Sequence, residues 1–140
     1  MSATDLSAAL NRMVAALKRN DMSAMLGDLK TFFAKVPNTI TIANEKYYQT
    51  IFFTVFTLLG ARIEAESRTS LGRIDAVVKT KTDIFLFEFK LHGTAEEAMA
   101  QIRDMRYAER YLDDGRRVTL VGAAFSKKTR NLGRWLIEPV

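Results

Sequence analysis

One stretch limits the fold more than any other: Asp83-Ile-Phe-Leu-Phe-Glu-Phe-Lys-Leu91, in which both sides of an extended chain begin apolar and one ends charged. Read as a strand, it sets Phe85, Phe87, Phe89 and Leu91 on one face and Ile84, Leu86, Glu88 and Lys90 on the other. A strand that is apolar on both faces belongs in the middle of a sheet covered from both sides. At its C-terminal end a carboxylate and an ammonium then occupy a face that was apolar two residues earlier. Burying such charges unpaired is costly, so they neutralise each other or a bound cation does so.

The rest of the chain supplies the covering layers. Leu6, Leu10, Met13, Val14 and Leu17 recur at helical spacing from Asp5 to Lys18, with Asp5 available as the cap. A second helix is expected from Met22 to Lys35, buried through Met25, Leu26, Leu29, Phe32, Phe33 and Val36 and stopped by Pro37. Residues 1–38 therefore read as a leading helical hairpin. The third helix, Asn44 to Leu59, is apolar on nearly every side, carries Glu45 in its first turn and ends at Gly60. Arg62 to Thr69 and Gly72 to Thr80 alternate as strands before the one at Asp83.

Helical spacing returns from Thr94 to Leu112 through Ala98, Ile102 and Met105; Asp114-Gly115 turns the chain into a fourth strand, Val118 to Phe125. A helix between two strands implies a crossover connection. The expected architecture is α/β: an αβββαβ core over residues 44–135, with a mixed four-stranded sheet flanked by helices, inside one domain spanning 1–140.

Composition removes several chemistries. With 140 residues and 48% apolar content the chain can bury a core unaided. It has no cysteine and His92 is its one histidine, which excludes thiolate zinc sites, cysteine nucleophiles and His-rich zinc centres. The work falls to carboxylates, lysine or a hard metal. The absence of an uninterrupted apolar span or a secretory-type start leads to the expectation of a cytoplasmic protein with no membrane partner.

Asp75 shares a strand face with Arg73, Val77 and Lys79. The short Lys81-Thr82 connection makes this strand and the next an antiparallel hairpin, which would bring Asp75 and Glu88 together. Converging carboxylates suit magnesium, and Lys90 could orient a water or offset developing charge. Spacing alone favours an exposed Glu88–Lys90 pair on a sheet edge with Asp75 as a turn-flanking acid.

Motif order shifts that balance. Gly72-Arg73-Ile74-Asp75 followed by Glu88-Phe89-Lys90, with Glu45 on the preceding helix and Gln101 on the following one, resembles the PD-(D/E)XK nuclease superfamily over roughly Asn44 to Trp135. Ile74 departs from the proline in the superfamily's name. Glu66, Leu91, Ile102, Tyr107, Val121-Gly122 and Phe125 extend the resemblance to a bacterial branch often found behind an AAA-type ATPase-like domain. The resemblance implies Mg2+, with Mn2+ able to substitute, held by Asp75, Glu88, the Phe89 carbonyl and, through water, Glu45. It also implies phosphodiester hydrolysis assisted by Lys90, with Gln101 as an accessory residue. Glu45 reads equally as helix-start electrostatics, and Gln101 as a flank of the core.

The net charge of +5 gains a location late in the chain. Arg73, Arg103, Arg106, Tyr107, Arg110, Lys127 and Lys128 are the expected nucleic-acid contacts, as phosphate-neutralising cations with an aromatic among them. An ordinary solvated face is the alternative. The sequence thus points to a magnesium-dependent nuclease acting on DNA, with RNA as the second choice. The rival reading is a catalytically silent nucleic-acid-binding or regulatory module of an ATPase. An ATPase-like domain or partner chain, including a second copy in a homodimer, is compatible with either.

Overall fold

A computed structural model describes residues 2–35, 45–70, 72–104 and 107–140, the side chains of residues 45–47 excepted. Helices α1 (Ala3–Lys18) and α2 (Met22–Ala34) form the expected hairpin. The cap of α1 is Ser2, not Asp5: the Ser2 hydroxyl accepts from the Asp5 amide at 3.1 Å, and Asp5 completes a capping box. Asp21 caps α2, accepting from the Ala24 amide at 3.2 Å. The proposed stop at Pro37 lies outside the described residues.

Helix α3 (Glu45–Gly60) leads into three strands, β1 (Glu64–Ser70), β2 (Arg73–Lys79) and β3 (Asp83–Lys90). Helix α4 (Ala95–Asp104) and a 3-10 turn (Tyr107–Tyr111) then precede β4 (Arg117–Ser126) and β5 (Asn131–Pro139). Two expectations are corrected here. The helix foreseen from Thr94 to Leu112 is not one element but α4 followed by the 3-10 turn, so the Tyr107–Tyr111 pair is not on α4. The sheet has five strands rather than four, because β5 folds back antiparallel onto β4. Gly133 and the charges of Arg134 and Glu138 interrupt the strand signal of β5.

The strands lie in the order β1-β2-β3-β4-β5, with β3 and β4 parallel and every other neighbouring pair antiparallel. Every residue of β3 from Asp83 to Phe89 is buried, as its two apolar faces require. One face carries Ile74, Ala76, Val78 and the β3 phenylalanines into a core shared with α1, α2 and α3. The Phe52 ring lies tilted 4.5 Å from Phe89, Phe89 stacks 5.6 Å from Phe87, and Phe56 is 5.6 Å from Phe87. The other face packs Ile84, Leu86, Val118 and Leu120 against Met99 and Ile102 of α4.

The contact of α4 with β4 depends on Gly122. A Cβ there would stand 2.8 Å from the Met99 amide nitrogen and 3.0 Å from the Ala95 carbonyl oxygen. Only a residue without a side chain lets the helix backbone come this near the sheet.

Candidate active site

In the β2–β3 ladder Asp75 pairs with Glu88 and Arg73 with Lys90. Directly paired residues project from the same face, so both carboxylates, the guanidinium and the ammonium rise on the α4 side. The row extends across the sheet: Arg68 of β1 pairs with Asp75, and Gly122 of β4 with Glu88. The close approach at Gly122 thus sets the first turns of α4 beside the carboxylates. The convergence expected from the short Lys81-Thr82 connection is present.

Glu88 is fully buried, yet among the described residues neither of its carboxylate oxygens has a hydrogen-bond partner, and the buried Asp75 Oδ1 has none either. Arg73 supplies partial compensation, with Nη1 3.5 Å from Glu88 Oε1 and Nε 3.8 Å from Asp75 Oδ2. Burial pushes the Glu88 carboxyl up to about 7, aided by the neighbouring Asp75 carboxyl and opposed by Arg73 and Lys90. An acid so raised, beside a second carboxylate, marks a place where the protein tolerates a local cost.

Asp83, at the other end of the strand and equally buried, provides the contrast. It accepts from Asn20 Nδ2 at 3.1 Å, Thr82 Oγ1 at 2.6 Å and Arg117 Nη2 at 3.0 Å. Buried carboxylates in a structural role are satisfied in this way. The orphaned oxygens of Glu88 and Asp75 instead form a set of hard, anionic donors suited to magnesium or manganese. Among the described residues no group of three or more His, Cys, Asp or Glu could hold a metal, and the two that converge here are Asp75 and Glu88. Magnesium is commonly held by one or two carboxylates, with waters and substrate phosphate completing the shell.

The remaining expected residues divide by location. Lys90 is half-buried at the C-terminal end of β3, and Gln101 is half-buried on α4. The Phe89 side chain points into the aromatic core on the opposite face, leaving only its backbone at the site. Glu45 opens α3, but its side chain, like the whole of Arg106, lies outside the described residues. Arg73 reaches the carboxylates and also donates to Ser70 Oγ at 2.9 Å. Arg103 is ion-paired with Glu138 on the unforeseen fifth strand. Lys127 and Lys128 are exposed in the β4–β5 turn, at the end of the sheet where β3 delivers Lys90.

A cleft of about 150 Å³ adjoins Asp75 and is lined in part by Arg68, Tyr107, Arg110 and Tyr111. Tyr107 and Arg110 were expected contacts, whereas Arg68 was overlooked. Its signal was the alternation of the first strand, which places it on the Asp75 face only once the β1–β2 register is known.

A family model described as the PD-(D/E)XK nuclease superfamily matches residues 43–135, the span that carries α3 and all five strands up to Trp135 of β5. The chain belongs to the PD-(D/E)XK nuclease superfamily. Asp75, Glu88 and Lys90, which the β2–β3 register brings to one face, lie within the matched residues. A protein from Azotobacter chroococcum mcd 1, described as an uncharacterized protein in the vnfD 5′ region, is 33% identical over 129 residues. The match covers 87% of this chain and 25% of that relative, so the chain spans about a quarter of its length. No solved structure matches the chain. Among the described residues no helix is long and apolar enough to cross a membrane.

Proposed function

We propose that this superfamily member is a metal-dependent nuclease that hydrolyses phosphodiester bonds of DNA, with RNA as the second choice. The observation that carries the reading is the Asp75–Glu88 pair, in which both oxygens of buried Glu88 and the buried Oδ1 of half-buried Asp75 lack hydrogen-bond partners among the described residues, set beside Lys90. Asp75, Glu88 and the Phe89 carbonyl are the proposed ligands of Mg2+ or Mn2+, with Glu45 acting through water. When bound there, the cation polarises a phosphoryl oxygen and lowers the pKa of an attacking water.

The chain's own groups do the rest. Glu88, ionised, attracts the cation and stays fixed because β3 is packed on both faces. Lys90 donates to the attacking water or a phosphoryl oxygen and offsets the charge that develops in the transition state. Gln101 orients the same groups from α4. Arg73 shields the carboxylates from each other and turns toward phosphate when a cation replaces it. Arg103, Arg106, Tyr107, Arg110, Lys127 and Lys128 hold the strand, which makes affinity fall steeply with salt.

Within this proposal the chain acts as one domain, residues 1–38 forming a hairpin that buttresses the nuclease core, in the cytoplasm. The greater length of the Azotobacter relative supports a further part of the reading, that this unit works with an additional domain such as an ATPase. The test is cleavage of plasmid, single-stranded, branched and RNA substrates in Mg2+ or Mn2+, beside Asp75→Ala and Lys90→Ala. Each variant should lose roughly 100- to 1,000-fold in rate. Undiminished cleavage in both would expose a contaminant, and nucleic-acid binding without cleavage by the wild type would instead favour the silent binding module.

A further inference from the structure

The cleft beside Asp75 is not needed to hold a metal, yet it shares that residue with the carboxylate pair. Its floor is apolar, from Val77, Leu86 and Ile102, and its wall is the 3-10 turn carrying Tyr107 and Tyr111. Both tyrosines are half-buried and pack against the core beneath, and Lys79 Nζ lies 5.4 Å over the Tyr111 ring. Both side chains are thus held by the core while they line the cleft. Arg68 and Arg110 are exposed at the rim and, among the described residues, take part in no ion pair. Glu66 adds a hydrogen-bond acceptor.

At about 150 Å³ the space matches a cavity that accepts one small aromatic ring, well below the roughly 300–1,000 Å³ of pockets that enclose whole drug-sized ligands. An apolar floor, aromatic walls and a cationic rim suit a single base whose flanking phosphates meet the arginines. A base stacked inside a duplex cannot enter such a concavity without leaving its neighbours, whereas a single strand offers its bases freely. Resting on the nuclease reading, we propose that this cleft captures one unstacked base next to the scissile phosphate, so that the preferred substrate is a single strand or the single-stranded part of a branched one.

The wild-type full chain is given a labelled single strand, its duplex, and a series of single strands in which one abasic site moves along the sequence. Cleavage in Mn2+ and anisotropy binding in metal-free buffer are both read. The proposal expects faster cutting and tighter binding of the single strand, with one position near the cut where removing the base weakens binding about tenfold or more. Tyr107→Ala and Tyr111→Ala should lose that positional sensitivity, and Tyr107→Phe should keep it. Equal cutting and binding of duplex and single strand, with no base-sensitive position, overturns the inference while leaving the nuclease reading intact. Should no substrate be cut, the nuclease reading fails, and the abasic series in the binding assay still decides whether the cleft holds a base.

Discussion

Asp83 and Glu88 lie on the same strand and are equally sealed from solvent, but Asp83 accepts three side-chain hydrogen bonds whereas Glu88 accepts none among the described residues and has only the longer Arg73 ion pair. Their substitutions should therefore act in opposite directions. Asp83→Ala strips Asn20, Thr82 and Arg117 of a shared acceptor and should destabilise the protein by about 1–3 kcal/mol. Glu88→Gln removes a charge that the fold carries at a loss and should raise the melting temperature at pH 8 while abolishing cleavage. Thermal unfolding of the two variants beside the wild type checks both; a Glu88→Gln protein less stable than wild type at pH 8 would refute the contrast.

The pH dependence has a definite sign. The Glu88 carboxyl titrates near 7 in the fold and at about 4.5 when unfolded, so the native state binds the extra proton between those values. Its contribution to stability is greatest below about pH 4.5, declines as pH rises toward 7, and is flat beyond. The full decline is on the order of 3 kcal/mol. Urea unfolding from pH 4.5 to 8 should show this slope as the difference between wild type and Glu88→Gln, which removes the contributions common to both.

A divalent cation should reverse the high-pH loss. At pH 8, Mn2+ or Mg2+ at about 100 times its dissociation constant should stabilise the wild type by about 2.7 kcal/mol. Asp75→Ala and Glu88→Ala should respond little. Differential scanning calorimetry with and without metal measures the effect, and equal shifts in all three proteins would place the cation elsewhere.

Gly122→Ala tests the approach of α4 to the sheet. The added Cβ would stand 2.8 Å from a backbone nitrogen of Met99, which cannot move without displacing the helix. A cost of about 1–3 kcal/mol is expected, as for other overpacked positions. Cleavage should fall further than the fraction of folded protein does, since α4 also carries Gln101. Activity normalised to folded protein by circular dichroism separates the two effects.

Much of this architecture is legible in the order of the residues. Hydrophobic spacing locates the three N-terminal helices to within a few residues, and the short connection after Thr80 puts Asp75 opposite Glu88, because a tight hairpin leaves little freedom of register. The fifth strand was not readable: Asn131-Leu-Gly-Arg-Trp-Leu-Ile-Glu-Pro139 mixes charge and glycine on a strand at the sheet's edge, where burial imposes a weak pattern. Missing it also hid the partner of Arg103, since Glu138 lies on that strand. The apolar stripe that continues through Met105 to Leu112 conceals the change from an α-helix over Ala95–Asp104 to a 3-10 turn over Tyr107–Tyr111. Arg73 was assigned to phosphate from its charge alone; its reach to two carboxylates depends on the cross-strand pairing.

The rings of Phe52, Phe56, Phe87 and Phe89 lie directly beneath the strand that bears Glu88 and Lys90. Because they also join the three N-terminal helices to the sheet, the acidic site sits on the part of the molecule whose amide hydrogens should exchange slowest. Warming should then leave the reactive groups in register until the whole assembly gives way, so catalytic decay and global melting coincide in a single transition.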